Sequence, residues 1–337
     1  MALDSIGYYR NLEVLCYAWQ TKHLDSTYPS WIPRWDISIH DDLSLLSFLY
    51  DAAQGTLPIL QRSFEVNTIT IQGLNLGPIV ETDAVLRFGD GRAPDHEADG
   101  KGSTKDQLIA ISRIMVSDRW QNEFAFENAA GRAHMNLHAH FADFSAHLLP
   151  LLETSKQDSY IASIPIWCNV CLQYIFEQRK PSSTLPKGYH CNICDHDDYD
   201  ICASCHDLGK RCDDPNHVLK SRVAASFWFP YTDEIINRFK DHASTWDGNC
   251  FFNIAGTACR NRVFLRASQG LKGTGSQFVK PGDILVILFG SPVPFILRRH
   301  GTFYHLISDC YIHGLMDGEA IQIWEDGELK LEDFDIR

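Results

Sequence analysis

Three CxxC pairs and one Cys-x4-His pair, gathered between residues 168 and 217, constrain this chain more than anything else in it. The order is Cys168-x2-Cys171, Cys191-x2-Cys194, Cys202-x2-Cys205 and Cys212-x4-His217, with nineteen, seven and six residues between successive pairs. A CxxC pair sets two thiolates on one side of a tight turn, and a tetrahedral structural zinc site takes four such donors. Eight donors therefore suffice for two zinc ions, whereas buried core thiols have no reason to recur at a fixed spacing. A redox role for the pairs needs a βαβ context, which the surrounding sequence lacks. If side chains fill both sites, no position is left for a reactive water, so both ions are expected to be structural. A segment this short buries too little apolar surface to fold alone and is expected to fold only with metal bound.

The chain has 337 residues, 45% hydrophobic and 22% charged, which is ordinary for a globular protein of two or three domains. Its net charge is −13, and between residues 168 and 217 five Lys and Arg face eight Asp and Glu. Two thiolate-bound zinc ions would take that segment to roughly −6, the wrong sign for phosphate, so nucleic acid is not an expected partner. Residues 1–20 contain Asp4, Arg10 and Glu13 and lack the apolar core of a secretory signal. The longest uncharged apolar stretch, residues 284–297, has fourteen residues and two prolines, too short for a membrane helix. Eleven cysteines, mostly in CxxC pairs, fit a reducing compartment, and without a basic import cluster a cytoplasmic location is expected.

On the flanks, residues 5–19 suggest a short amphipathic helix with Ile6, Leu12, Leu15 and Trp19 on one face, ended by Pro29-Ser-Trp31-Ile-Pro33-Arg-Trp35. Residues 68–72 alternate as a strand, bracketed by Asn67, Gly73 and Asn75, and residues 89–103 form a hydrophilic loop. From 104 to 153 the period becomes helical, with Leu137, Phe141, Phe144 and Leu148 in one stripe. His134 and His138 beside it, with no HExxH, are expected to be plain polar positions. Residues 224–240 suggest a strand and then a helix, with Phe227, Trp228, Phe229 and Tyr231 clustered. Strands are expected at 263–265, 284–289, 294–297, 303–307 and 320–324, and Gly270, Gly273 and Gly275 suggest a hairpin turn rather than a phosphate loop. Cys310, His313, Asp317 and Glu319 offer catalytic side-chain types, but on a strand positions three apart face opposite ways, so no catalytic residue is expected there.

Residues 167–219 resemble a ZZ-type zinc finger, through the cysteine order and the run Asp198-Tyr-Asp-Ile-Cys202. ZZ fingers are cross-braced, so the resemblance implies one zinc on Cys168, Cys171, Cys202 and Cys205, and another on Cys191, Cys194, Cys212 and His217. Cys212 stands where the family usually has histidine, the Cys194 to Cys202 gap is longer than is common, and His190, His196 and His206 compete for the second site. The flanks resemble the region that follows the HET domain in fungal heterokaryon-incompatibility proteins, through Pro29–Trp35, Lys280–Gly290, Pro294–Arg298 and Cys310–Ala320. Some of those proteins carry a ZZ-like finger there. The HET segment itself has no counterpart in this chain, and Arg34 replaces a more usual acidic residue.

The expected architecture is α+β: a mixed helical and β-rich body with an inserted small cross-braced two-zinc finger. Residues 1–160 would form the first part of the scaffold, 161–222 the finger and 223–337 a β-rich second part, with both scaffold parts joined in one discontinuous body. The expected function is protein–protein recognition rather than catalysis; the alternatives are a ubiquitin-ligase-like module, whose RING fingers share the cross-brace but expect a histidine missing here, and an enzyme using the Cys310 to Glu319 cluster. Asp195, Asp197, Asp198 and Asp200 crowd the gap between two CxxC pairs. The ZZ resemblance implies that such carboxylates hold a free amino terminus or a basic side chain, so a peptide partner is expected.

Overall fold

The computed structural model describes residues 10–18, 28–33, 49–63, 67–83, 85–87, 104–118, 137–155, 159–163, 168–171, 187–191, 193–194, 199–212, 214–223, 226–230, 233–243, 249–259 and 262–337. In chain order the first elements are a 3-10 turn (Glu13–Tyr17), β1 (Leu60–Ser63), β2 (Thr68–Asp83), β3 (Val85–Arg87), α1 (Thr104–Met115), α2 (Leu137–Ser155) and β4 (Ser159–Ser163). The finger contributes β5 (Lys187–Cys191), β6 (Tyr199–Cys202), α3 (Ala203–Asp207) and β7 (Lys220–Val223). Then come β8 (Ser226–Pro230), α4 (Asp233–Ala243), α5 (Asn249–Ala258), β9 (Arg262–Ala267), β10 (Lys272–Ser276), β11 (Ile284–Leu288), β12 (Phe295–His300), β13 (Phe303–Ile312), α6 (Glu319–Glu325) and β14 (Leu331–Ile336).

Hydrogen bonding runs from β2 through β11, β12, β13, β10 and β9, and β9 returns to β2, closing a barrel. β14 fills the gap beside β2 and β13, with Phe334 opposite Ile71 and Ile336 opposite Tyr304. Closure explains why residues 284–288 read as one apolar run: Leu285 and Ile287 point into the barrel, while Val286 and Leu288 point outward under the helices, and all are buried. Each such side chain taken fully out of water contributes about 1.5–3 kcal/mol. Leu265, Ile296 and Val279 meet inside the barrel around Gly275, and a Cβ on Gly273 would lie 1.8 Å from the Tyr311 carbonyl oxygen. The glycines that suggested a turn therefore divide: Gly270, at φ +80°, closes the β9–β10 hairpin, while Gly273 and Gly275 let β10 pack within the wall.

A layer of helices covers the outer face. Phe141, Phe144 and Leu148 of α2 meet Phe239 of α4 and Phe251 of α5, the Phe144 ring lying 4.9 Å from that of Phe251. Polar groups are also trapped between the layers. The Tyr311 hydroxyl donates to Asp118 Oδ2 at 2.6 Å and stands 3.2 Å from His313 Nδ1, while Arg113 Nε donates to Asp118 Oδ1. Arg262 and Asp309, both fully buried, pair at 3.1 Å.

Several expectations change. Of the helix expected at 5–19, the described part is the 3-10 turn with Leu12 and Leu15 buried, and Ile6 and Trp19 lie outside the described residues. β2 does not stop at Gly73, because a Cβ there would lie 2.3 Å from the Ile287 carbonyl oxygen; the glycine lets neighbouring strands approach rather than ending one. Residues 320–324 are not a strand but the core of α6, because Ala320, Ile321 and Trp324 recur at helical spacing, and Trp324 stacks edge-on against Phe289 at 5.2 Å. The expected loop at 89–103 and His134 lie outside the described residues, as do Arg34, Trp35 and the side chain of His138.

β4 and β8 run antiparallel, Ser163 opposite Ser226, so the strands that lead into and out of the finger are paired with each other. Residues on both sides of it share one core: Leu108 and Phe144 lie in the same cluster as Phe239, Phe295 and Phe334.

Candidate metal centre

The finger is a three-stranded sheet in the order β6-β5-β7, with its cysteines on the turns around it. Asn169, inside the first CxxC turn, donates its backbone N–H to the Asp200 carbonyl, and its side-chain oxygen accepts the Asp200 N–H, both at 2.8 Å. Those bonds stitch the turn to β6 and bring Cys168 Sγ within 3.3 Å of the Cys202 N–H. Cys202 in turn caps α3, its sulfur accepting the Cys205 N–H at 3.4 Å, so a single short helix places both of those thiols. On the other side Cys191 ends β5.

The result is two groups of four donors, Cys168, Cys171, Cys202 and Cys205 in one and Cys191, Cys194, Cys212 and His217 in the other, each with its ligand atoms within 4.8 Å of one another. Four thiolates bound at about 2.3 Å to one tetrahedral ion stand roughly 3.8 Å apart, and an imidazole nitrogen about 3.6 Å from each thiolate. Here Cys171 and Cys202 sulfurs are 3.9 Å apart, and His217 Nδ1 is 3.4, 3.6 and 3.8 Å from the sulfurs of Cys194, Cys191 and Cys212. The donor sets fit two small tetrahedral dications, and all seven cysteines in them are free of disulfides. Each set supplies four protein donors, so neither leaves a coordination position for substrate.

The electrostatics of the thiols point the same way. Burial pushes the Cys168 thiol up, but hydrogen bonds with the backbone at Cys202, Cys171 and Val170 outweigh it and bring it down to about 7. Cys191 comes down to about 7 likewise, through the backbone at Cys194 and Ile193. Burial and then hydrogen bonds with neighbouring sulfurs push Cys205 up to about 12 and Cys212 up to about 11. One early thiolate in each group opposes ionisation of its neighbours, a conflict that a bound dication reverses by displacing their protons.

Of the competing histidines, His190 faces Asp200 at 3.1 Å and His206 stacks on Tyr189 with ring centroids 3.6 Å apart, while His196 lies outside the described residues. Asp200 is a correction to the expected acidic peptide site: it is 2% exposed on β6, held by His190 and Asn169, so it organises the finger from within. Asp195, Asp197 and Asp198 lie outside the described residues. At the barrel, Cys310 is fully buried facing the interior, with burial pushing its thiol well up, whereas His313 meets Tyr311 on the outward side. Asp317 and Glu319 are engaged with each other, the Asp317 N–H donating to Glu319 Oε2 at 2.8 Å.

The fold and these two groups define a β-barrel body carrying an inserted finger able to hold two metal ions. Residues 233–331 match the family described as the Het-6 beta-barrel domain, which supports a heterokaryon-incompatibility-related region from α4 to the start of β14. No curated protein and no solved structure matches the chain. The matched segment does not include β2, yet β2 supplies the strand that closes this barrel. Among the described residues no helix is long and apolar enough to cross a membrane.

Proposed function

We propose that this chain is a zinc-binding recognition or adaptor protein related to fungal heterokaryon-incompatibility proteins, acting in the cytoplasm by binding rather than turnover. Two closed four-donor groups carry the proposal. Thiolate-rich tetrahedral sites select zinc among abundant divalent ions, and a closed site gives folding energy instead of Lewis-acid chemistry. The barrel serves as the mount and the finger as the reader.

Side-chain exposure supports that division. Leu208, Val218 and Ile193, at 78%, 74% and 60%, are the most exposed large hydrophobic residues among those described, and all three belong to the finger. Together with its acidic excess they suit a peptide that is basic or presents a free amino terminus. The test is titration of the zinc-loaded full chain with peptides bearing a free or an acetylated amino terminus, at low and moderate salt. Binding that needs the amine, weakens with salt and falls in Asp195→Asn with Asp198→Asn at unchanged zinc content supports the proposal. Equal binding of the acetylated peptide removes amino-terminus recognition.

A further inference from the structure

His217 presents Nδ1 to the three sulfurs of its group, so a bound metal there requires the ring proton on Nε2. The nearest carboxylate oxygen to that nitrogen is Asp214 Oδ2, at 3.5 Å, within ion-pair reach but longer than a hydrogen bond. The Asp214 side chain is 47% exposed, yet its turn holds it in one orientation. Its Oδ1 accepts the Asn216 backbone N–H at 2.8 Å and the Asn216 side-chain amide at 3.0 Å, and its carbonyl accepts the His217 N–H at 3.2 Å. The turn between Cys212 and His217 is thus built around one aspartate, with Oδ1 spent on the turn and Oδ2 turned toward the imidazole.

We propose that Asp214 is the positioning residue of the second metal site, fixing the tautomer and ring orientation of His217 and strengthening Nδ1 as a donor. The proposal rests on the zinc reading of that group. A site with three thiolates and one imidazole has a single donor with two possible tautomers, so a carboxylate beside its outer nitrogen bears on ring orientation. The first site, all thiolate, has no such dependence.

The experiment uses the full chain. Asp214→Asn keeps an oxygen for the Asn216 N–H but removes the charge facing Nε2; Asp207→Asn, at a side chain 77% exposed beside the non-ligand His206, is the control. Competition with a chromophoric chelator should resolve two zinc-release steps, the second site being the one abolished by Cys191→Ser. Asp214→Asn should weaken that step roughly ten- to hundredfold and leave the other in place. In the cobalt-substituted protein the exchangeable His217 Nε2–H resonance should shift and exchange faster. An unchanged second step, an equal weakening of both steps, or an unmoved resonance overturns the proposal. A wild-type chain that fails to take up two zinc ions overturns the zinc reading itself, and this inference with it.

Discussion

Tyr311 and Asp118 stand 193 residues apart in sequence and 2.6 Å apart in space, where the tyrosine hydroxyl donates to the carboxylate. That bond joins the end of a barrel strand to the turn after α1, in which Ser117 and Asp118 both hold positive φ, at 50° and 57°. Two adjacent non-glycine residues in the left-handed region cost on the order of 1–3 kcal/mol each and persist where surrounding contacts over-determine them. Tyr311→Phe should lower stability to denaturant by about 1–3 kcal/mol, the cost of leaving a buried acceptor short of a donor. In a double-mutant cycle with Asp118→Asn the two losses should fall well short of additive; additive losses would mean the bond contributes nothing.

One buried and two half-buried histidines should set the acid limit of the fold. Burial lowers His140 and His147 to about 4, and His313 also to about 4, against an ordinary value of 6.5. The unfolded chain therefore binds more protons than the folded one between about 6.5 and 4, so the stability these groups confer is complete above that window and lost as pH falls through it. Each should contribute a slope near 1.4 kcal/mol per pH unit inside the window. Denaturation midpoints measured from pH 7.5 to 4.5 should fall steeply below about 6.5, and His147→Phe should flatten the curve. A profile that stays level to pH 5 would rule this out.

The eight metal donors were legible because residue type and spacing encode such a site locally, with no need to know the fold. The residues around them were not. Asp200 looked like one of a run of peptide-facing carboxylates, yet strand β6 is buried along Tyr199, Asp200 and Ile201, so its acid must be paired inside. Asp214 had no signal beyond its place in a polar turn. In the body, the α2 stripe of Phe141, Phe144 and Leu148 was readable because its period is its burial pattern. Gly73 and Gly273 were misread, since a glycine that ends a strand and one that lets two strands approach look the same until the neighbour is known. Contacts such as Tyr311 with Asp118 join segments from opposite sides of the finger, 193 residues apart, which no local pattern encodes.

Arg262 and Asp309 form an ion pair with both side chains fully buried, and Arg262 also donates to the Thr274 and Asp309 carbonyls at 3.3 and 3.2 Å. Removing one partner strands a charge in a low-dielectric interior, so Arg262→Met should cost about 3–5 kcal/mol. The double variant Arg262→Met with Asp309→Leu should recover most of that loss, because an apolar pair of similar volume escapes the desolvation penalty. Urea titration of the two variants checks the difference; a double variant as weak as the single one would mean the pair is needed for more than its own charge balance.

Metal removal should separate the finger from the barrel. The finger core consists largely of the ligands themselves, Cys168, Cys191, Cys205 and Cys212 around Tyr199 and Ile201, so without a cation its cohesion is lost. The body depends on none of them: its two cores are built from barrel and helix side chains, and β4 and β8 pair with each other across the finger's entry and exit. In the chelator-treated full chain, amide hydrogen exchange should rise toward the unfolded rate in residues 187–191 and 199–207. It should stay slow in residues 284–288 and 303–312, which lie in the barrel wall. Residues 159–163 and 226–230 should remain protected as well, because their ladder closes below the finger and holds its ends together whether or not it is folded. Loss of protection in the barrel strands on chelation would show that the finger is part of the body's fold rather than a unit mounted on it.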